Sequence, residues 1–326
     1  MGKPTVTALE PDPQKITSTQ KLIGGLVLGG FVANWIASIA SPFVFVWAVY
    51  HGYFRIKFTI FLVTVAAYSP WKKGVITRRI QQGISFYSNC YYKSIRMVFE
   101  GDHLPTAQDA QTFYAIHPHG AFCIGWAMLF CHDVMQHVRF CFAPALYLSP
   151  FFRLFSRCTG NPGSADKLSM RSYLRNGEHV ALPPGGFEEA TLSSLTQDRV
   201  FIKKRTGFIR LCLQDGVAVR PVYVFGEKEL YWNVQGNFQR RLAVNRYGFP
   251  AVFTWGHPFF PLVPKNTVDL MICVGAPLVL PKIENPTKED VQKWHGKYVA
   301  ALTGIFEEYK EIAYGPAGKV AKLEVW

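Results

Sequence analysis

FYAIHPHGAFCIG, residues 113–125, closes an apolar run on two histidines that flank a proline and precede a glycine. The run from Thr112 to Ile116 is short, apolar and rich in aromatic and β-branched residues, the pattern of a buried strand. In an α/β sheet, polar residues just past the carboxyl end of a strand sit where ligands bind. His117 and His119 are therefore candidate site residues, provided that the rest of the chain is α/β. Pro118 fixes the backbone between the imidazoles, and Gly120 permits a positive φ or close approach of a substrate.

The downstream chain has the expected alternation. Further strand-like runs occupy 138–143, 179–183, 217–225, 251–255 and 268–275. Between them, 207–216 reads as a helix stopped by Gly216, and 286–312 repeats apolar residues at Val291, Trp294, Tyr298, Ala301, Leu302, Ile305 and Tyr309. That spacing of three and four is a helix with one buried face. Strands alternating with helices predict a mixed, largely parallel sheet flanked by helices, in one domain over 71–326.

Ahead of it, residues 1–20 are polar and broken by prolines, and read as a mobile cytosolic tail. Residues 22–50 contain no Asp, Glu, Lys or Arg. As a helix they extend about 43 Å, beyond the roughly 30 Å of a bilayer core, with Pro42 expected to kink or tilt the second half. A bridge carrying Arg55 and Lys57 leads to a second apolar run, 58–68, closed by SPWKKG. Residues 21–70 thus read as a membrane hairpin, either transmembrane or embedded in one leaflet. Lys72, Lys73, Arg78 and Arg79 on one side, and Lys3, Lys15 and Lys21 on the other, place both ends in the cytosol, although Glu10 and Asp12 lie among the latter. The stretch is too long for a signal-peptide core.

Composition narrows the class. Hydrophobic residues make up 49% and charged residues 17%, with a net charge of +13, which suits an anionic membrane surface or a polyanionic substrate. Seven cysteines form no CxxC pair, which argues against a zinc ribbon or a disulfide framework and for a reducing compartment. Asn285-Pro-Thr is blocked as a glycosylation sequon by its proline.

Three uses compete for HPHG. A metal site needs more ligands, and His132 and His137 come without a thiolate pair. A turn satisfied by backbone is the plain structural use. A general base fits best, because imidazole titrates near neutrality and can take and return a hydroxyl proton. LPPGGFEEAT, residues 182–191, follows another strand and complements it: Gly185 and Gly186 expose backbone N–H groups for an oxyanion, and Glu188 or Glu189 offers a carboxylate to hold an imidazole. The stretch lacks a Walker GK[ST], and no GxSxG elbow exists for a serine hydrolase. FIKKRTGFIRL, residues 201–211, places Lys203, Lys204 and Arg205 before a helix whose amino end favours an anion. That suits the phosphates of a nucleotide-tailed carrier such as coenzyme A, or anionic headgroups. Nucleic acid is a poor match for a chain with a membrane hairpin.

With these pieces placed, the chain resembles the type-2 diacylglycerol acyltransferase family, which includes monoacylglycerol and wax-alcohol acyltransferases. The resemblance runs through the hairpin ending in PWKKG, HPHG at 117–120, PPGGFEEA at 183–190, KKRTGFIRLCLQDGVAVRPVYVFGEKELY at 203–231, residues 277–302 and the closing KLEVW. It implies a glycerolipid-acyltransferase-like fold and an enzyme of the endoplasmic reticulum membrane and lipid droplets. Acyl-CoA would be the donor substrate and diacylglycerol, monoacylglycerol or a fatty alcohol the acceptor, with membrane lipids as surroundings, no cofactor and no metal, and a homo-oligomer left open. A non-catalytic lipid-droplet module is the rival of another class; it would need the hairpin but not HPHG, PGGFEE and RTGF. From its strand-end place and the adjacent glycine, His119 is expected to be the general base, with His117 shaping or sharing its hydrogen bonds and Glu189 orienting the His119 imidazole. Lys203, Lys204, Arg205 and Gly207 are the expected acyl-CoA-binding residues, and Gly120, Gly185 and Gly186 the backbone donors. The family's YFP motif is replaced by FYSNCYYKSIRMVF, and the glycine loop departs from the VGGAxE type. Related glycerolipid acyltransferases use His-x4-Asp, but Phe122 and Ile124 stand at those positions. The orienting carboxylate must come from elsewhere, and Glu189 is assigned by its place after the two glycines.

Overall fold

The computed structural model describes residues 5–8, 11–70, 73–248 and 251–326. Its strands are β1 (Thr5–Thr7), β2 (Ser94–Glu100), β3 (Thr112–His117), β4 (Val138–Phe142), β5 (Pro162–Ser164) and β6 (His179–Leu182). They continue as β7 (Asp198–Val200), β8 (Ala218–Phe225), β9 (Trp232–Asn233), β10 (Thr254–Trp255), β11 (Asp269–Val274) and β12 (Leu323–Val325). The helices are α1 (Ser18–Tyr50), α2 (Phe54–Tyr68), α3 (Val75–Tyr91), α4 (Ile124–Cys131), α5 (Pro144–Leu148) and α6 (Pro150–Thr159). After them come α7 (Lys167–Arg175), α8 (Gly186–Thr191), α9 (Gly207–Asp215), α10 (Phe238–Val244) and α11 (Lys288–Tyr314).

Eight strands form one sheet in the order β1-β2-β11-β8-β3-β6-β4-β5. The β1–β2 and β11–β8 pairs are antiparallel and the others parallel, so the sheet is mixed and mostly parallel. Side chains alternate faces along each strand. Tyr114 and Ile116 join the core beneath α1, α3 and α4, whereas Phe113 and Ala115 join the core beneath α7, α9 and α11. Helices cover both faces, which is why β3, β6 and β8 read as continuous apolar runs.

Parallel pairing also decides where the site lies. β3 pairs with β6 in the register Ala115↔Leu182, so HPHG and PPGG leave the sheet at the same edge.

The amino-terminal residues depart from the expected mobile tail. Thr5–Thr7 pairs with β2, and the Ala8 N–H donates to Met97 O at 3.0 Å; TVT supplies β-branched residues to an otherwise unpaired edge. α1 starts at Ser18, three residues earlier than expected, because Thr17 and Gln20 form a capping box. It stays helical through Pro42. Gly24 lets α1 press against α3, since a Cβ there would lie 2.3 Å from Tyr87 O. By length and composition α1 can cross a membrane, and Phe43, Val46, Phe54 and Phe61 on the two front helices are exposed. At 15 residues, α2 extends only about 22 Å. Of the charges used to orient the hairpin, Lys3, Glu10 and Lys72 lie outside the described residues.

Other strand readings change too, and the short strands β5, β7, β9 and β12 fall outside the expected runs. β2 was not anticipated: SIRMVFE carries Arg96 and ends in Glu100, which interrupts its apolar pattern. Of 251–255 only Thr254–Trp255 pairs, with β9 rather than with the main sheet.

Candidate active site

Glu189 ties the site together. It sits in α8, beyond the edge shared by β3 and β6, and is 1% exposed. Its Oε1 accepts from His117 Nδ1 at 2.8 Å and from the Phe201 N–H at 2.9 Å, and its Oε2 accepts from the His119 N–H at 2.9 Å. Three donors from two other loops thus converge on one buried carboxylate, the arrangement that makes such burial tolerable. Gly185 must lack a side chain here, since a Cβ would meet the Glu189 carboxylate at 2.4 Å.

The carboxylate choice between Glu188 and Glu189 thus falls on Glu189, but the imidazole it holds is that of His117, not His119. His117 is fully buried, ends β3 and packs 6.3 Å from the Tyr298 ring; its Nε2 is buried with no hydrogen-bond partner among the described residues. The His117–Pro118 peptide is cis, and His119 swings out to line a cavity of about 420 Å³. His119 Nδ1 lies 3.0 Å from Gly120 O. A carbonyl can only accept, so Nδ1 carries the proton and Nε2 keeps its lone pair. Burial holds the His119 pKa below its usual value, offset in part by the Gly120 carbonyl and the charge of Glu189. The ring is neutral at pH 7, the form a base requires.

The cavity is mostly apolar. Phe31, Val32 and Trp35 of α1 form one wall, and Phe122, Trp126, Phe142 and Phe152 another. Pro183, Pro184, Gly186, Phe187, Glu188 and Arg205 supply the remainder beside His119. Arg205 is ion-paired with Glu188, and its guanidinium lies 5.4 Å from the Phe201 ring centroid.

The other expected residues are placed less simply. Gly186 has φ +60° and donates its N–H to Pro183 O at 3.3 Å. That group is committed within the turn instead of facing an oxyanion, and Gly185 is packed against Glu189. Lys203 and Lys204 are exposed and outside the cavity lining, and the Lys203 N–H donates to Trp326 O at 2.7 Å. Gly207 opens α9, also outside the lining, with nothing within 4 Å of where a Cβ would be. Of the basic stretch, only Arg205 reaches the cavity.

One buried carboxylate beside the site escaped the sequence reading. Glu227, 3% exposed, accepts from the Ile124 N–H at 3.0 Å and the Gly125 N–H at 2.7 Å, capping the amino end of α4. It also fills the space beside Gly120, whose φ is +59° and where a Cβ would lie 2.4 Å from Oε1. Desolvation pushes its pKa up to about 7 against the pull of those two N–H bonds. The only signal was its place in FGE directly after β8. Among the described residues no three His, Cys, Asp or Glu side chains converge to hold a metal ion.

The profile of the family described as diacylglycerol acyltransferase matches residues 48–321. The chain belongs to the diacylglycerol acyltransferase family. It is 30% identical over 245 residues to diacylglycerol O-acyltransferase 2 of Danio rerio, covering 67% of this chain and 65% of that protein. It is 32% identical over 216 residues to acyl-CoA wax alcohol acyltransferase 2 of Homo sapiens, covering 60% and 64%. Each of these matches thus spans a little under two thirds of the relative's length. Among solved structures, the 1-acyl-sn-glycerophosphate acyltransferase PlsC of Thermotoga maritima aligns with a TM-score of 0.43 and 14% identity, covering 88% of this chain and 97% of that one. In this family member, β3, β6 and α8 build the histidine–glutamate cluster, and α1 closes the cavity over it.

Proposed function

We propose that this family member is an acyl-CoA-dependent O-acyltransferase of neutral lipid alcohols, with diacylglycerol as acceptor and triacylglycerol as product. The observation that carries this reading is a neutral, half-buried His119 lining an apolar cavity that shares a wall with the chain's membrane-length helix. His119 Nε2 takes the proton of the acceptor hydroxyl as its oxygen attacks the thioester carbonyl. The carbonyl carbon–sulfur bond then breaks, and the proton passes to the departing thiolate, with no acyl-enzyme. Glu189 positions this base indirectly: it fixes the His119 backbone and locks His117 behind it. Arg205 lines the cavity, and the exposed Lys203 and Lys204 that precede it take the donor's phosphates outside it. Residues 21–70 serve as the membrane hairpin in the endoplasmic reticulum, with both ends cytosolic, and 71–326 as the catalytic domain.

The test is product analysis with the full chain in microsomes, labelled acyl-CoA and three acceptors in parallel: diacylglycerol, monoacylglycerol and a fatty alcohol. Triacylglycerol as the dominant product is expected. Dominant wax ester or diacylglycerol would move the assignment to a related acceptor. No acyl transfer to any of them would leave the lipid-droplet module.

A further inference from the structure

Behind the α5–α6 corner lies a second cavity, of about 350 Å³. Its lining includes Lys73, Arg139, Arg153 and Arg157 together with Tyr68 and Tyr147 and, among the described residues, no Asp or Glu. The two cavities share this corner: Leu146 and Phe152 line the catalytic one, and the next residues, Tyr147 and Arg153, line this one.

Parts of the cluster have structural work. Arg157 Nη1 donates to Ala67 O at 2.7 Å and Ser69 O at 2.9 Å, fastening the carboxyl end of α2. Arg139 is paired with Glu178 at 2.5 Å. Lys73 and Arg153 are not explained that way. The Arg153 guanidinium lies 4.5 Å from the ring centroids of both Tyr68 and Tyr147, which holds it in place as a preset fork. Its other contact is a 3.3 Å bond from Nε to Ala67 O. Among the described residues Lys73 donates to the neutral Gln136 Oε1, at 3.2 Å; desolvation lowers its pKa although the residue as a whole is exposed. Among the described residues, Lys73 and Arg153 meet neutral groups, so two positive charges of this lining stand without a carboxylate beside them.

We propose that this cavity is a phosphate-binding site, filled by the phosphomonoester headgroup of an anionic membrane lipid. Arg153 would present a bidentate edge and Lys73 a point charge, the pair of donors that suits a phosphate. The lipid is favoured as source because the cavity opens at the carboxyl end of α2, where the apolar hairpin meets the globular domain; only this choice of source rests on the membrane reading.

The purified full-length protein is titrated with dioctanoyl phosphatidic acid, dioctanoyl phosphatidylcholine and adenosine 3′,5′-bisphosphate, with binding read by native mass spectrometry. Phosphatidic acid is expected to bind in preference to phosphatidylcholine. Lys73→Gln and Arg153→Gln should each weaken it about tenfold or more, the worth of one charge-assisted hydrogen bond, and His119→Ala should not. Bisphosphate binding lost in the same two variants would keep the phosphate site and overturn the lipid as its source. Because a variant can fail to fold, amine-reactive labelling of Lys73 in the wild type is measured as well, and phosphatidic acid should slow it. Binding insensitive to both variants, no binding of either phosphate, or unchanged labelling overturns the site.

Discussion

His117 Nδ1 and Glu189 Oε1 are 2.8 Å apart, and both side chains are fully buried. Removing one partner leaves a buried hydrogen-bonding group of the other unmet, which typically costs about 1–3 kcal/mol. Glu189→Gln and His117→Ala should each lower the thermal midpoint markedly. In the double variant the losses should fall short of their sum by about 0.5–3 kcal/mol, as a double-mutant cycle of melting curves would show. Additive losses would mean that the pair is not coupled. Gly185→Ala should resemble Glu189→Gln, because its Cβ displaces the same carboxylate.

His119 behaves differently from that pair, since it lines the cavity. His119→Ala should reduce turnover about 10²–10⁴-fold while the melting temperature changes little. Its pKa is held below 6.5 by burial, and the neutral ring is the active form. Wild-type kcat/KM should therefore be flat at pH 7 and fall only as the pH drops below the ordinary histidine range. The residual activity of the alanine variant should lack that acid limb. A limb unchanged in the variant would remove His119 from the proton transfer.

Glu227 gives a stability signature. Its pKa is about 7 in the fold against an ordinary 4.5, so between those values the folded state holds a proton that the unfolded state has lost. Raising the pH from 4.5 to 7 therefore costs stability, by up to about 3 kcal/mol for such a shift. Tyr92, Tyr231 and Cys123 are the titratable groups around it, and burial keeps all three in their neutral forms at these pH values. Glu227→Gln cannot ionise. Between pH 5 and 8 its melting temperature should fall less than that of the wild type, and equal slopes would refute the assignment.

Trp35 tests whether α1 belongs to the site. Its ring meets Phe122 edge-on at 5.3 Å, and both line the cavity that His119 lines. Trp35→Ala should raise the apparent KM for lipid acceptors about threefold or more, the worth of a fraction of one buried ring. The inhibition constant of free coenzyme A, which has no acyl tail, should stay within about twofold. If both constants move together, the variant has disturbed the fold and not one wall.

Much of this was legible in the chain. TFYAI, HVALP and VAVRPVYVF announce buried parallel strands because both their faces are covered, and residues 286–312 announce a helix because one of its faces is. HPHG and PPGGFEEA stood out because each follows such a strand, and the spacing after two glycines was enough to select Glu189. What it would touch was not legible. Whether a carboxylate meets the ring of His117 or that of His119 depends on the register Ala115↔Leu182, which is settled by packing among distant segments. Glu227 escaped for the same reason: its partners are backbone N–H groups at Ile124 and Gly125, which every residue but proline carries and no sequence pattern marks. Local patterns determine which segments are strands, helices and breaks, because propensity and hydrophobic period act over a few residues. The tertiary structure alone decided which polar groups share a buried space, because hydrogen bonds and desolvation depend on distances that only the assembled sheet creates.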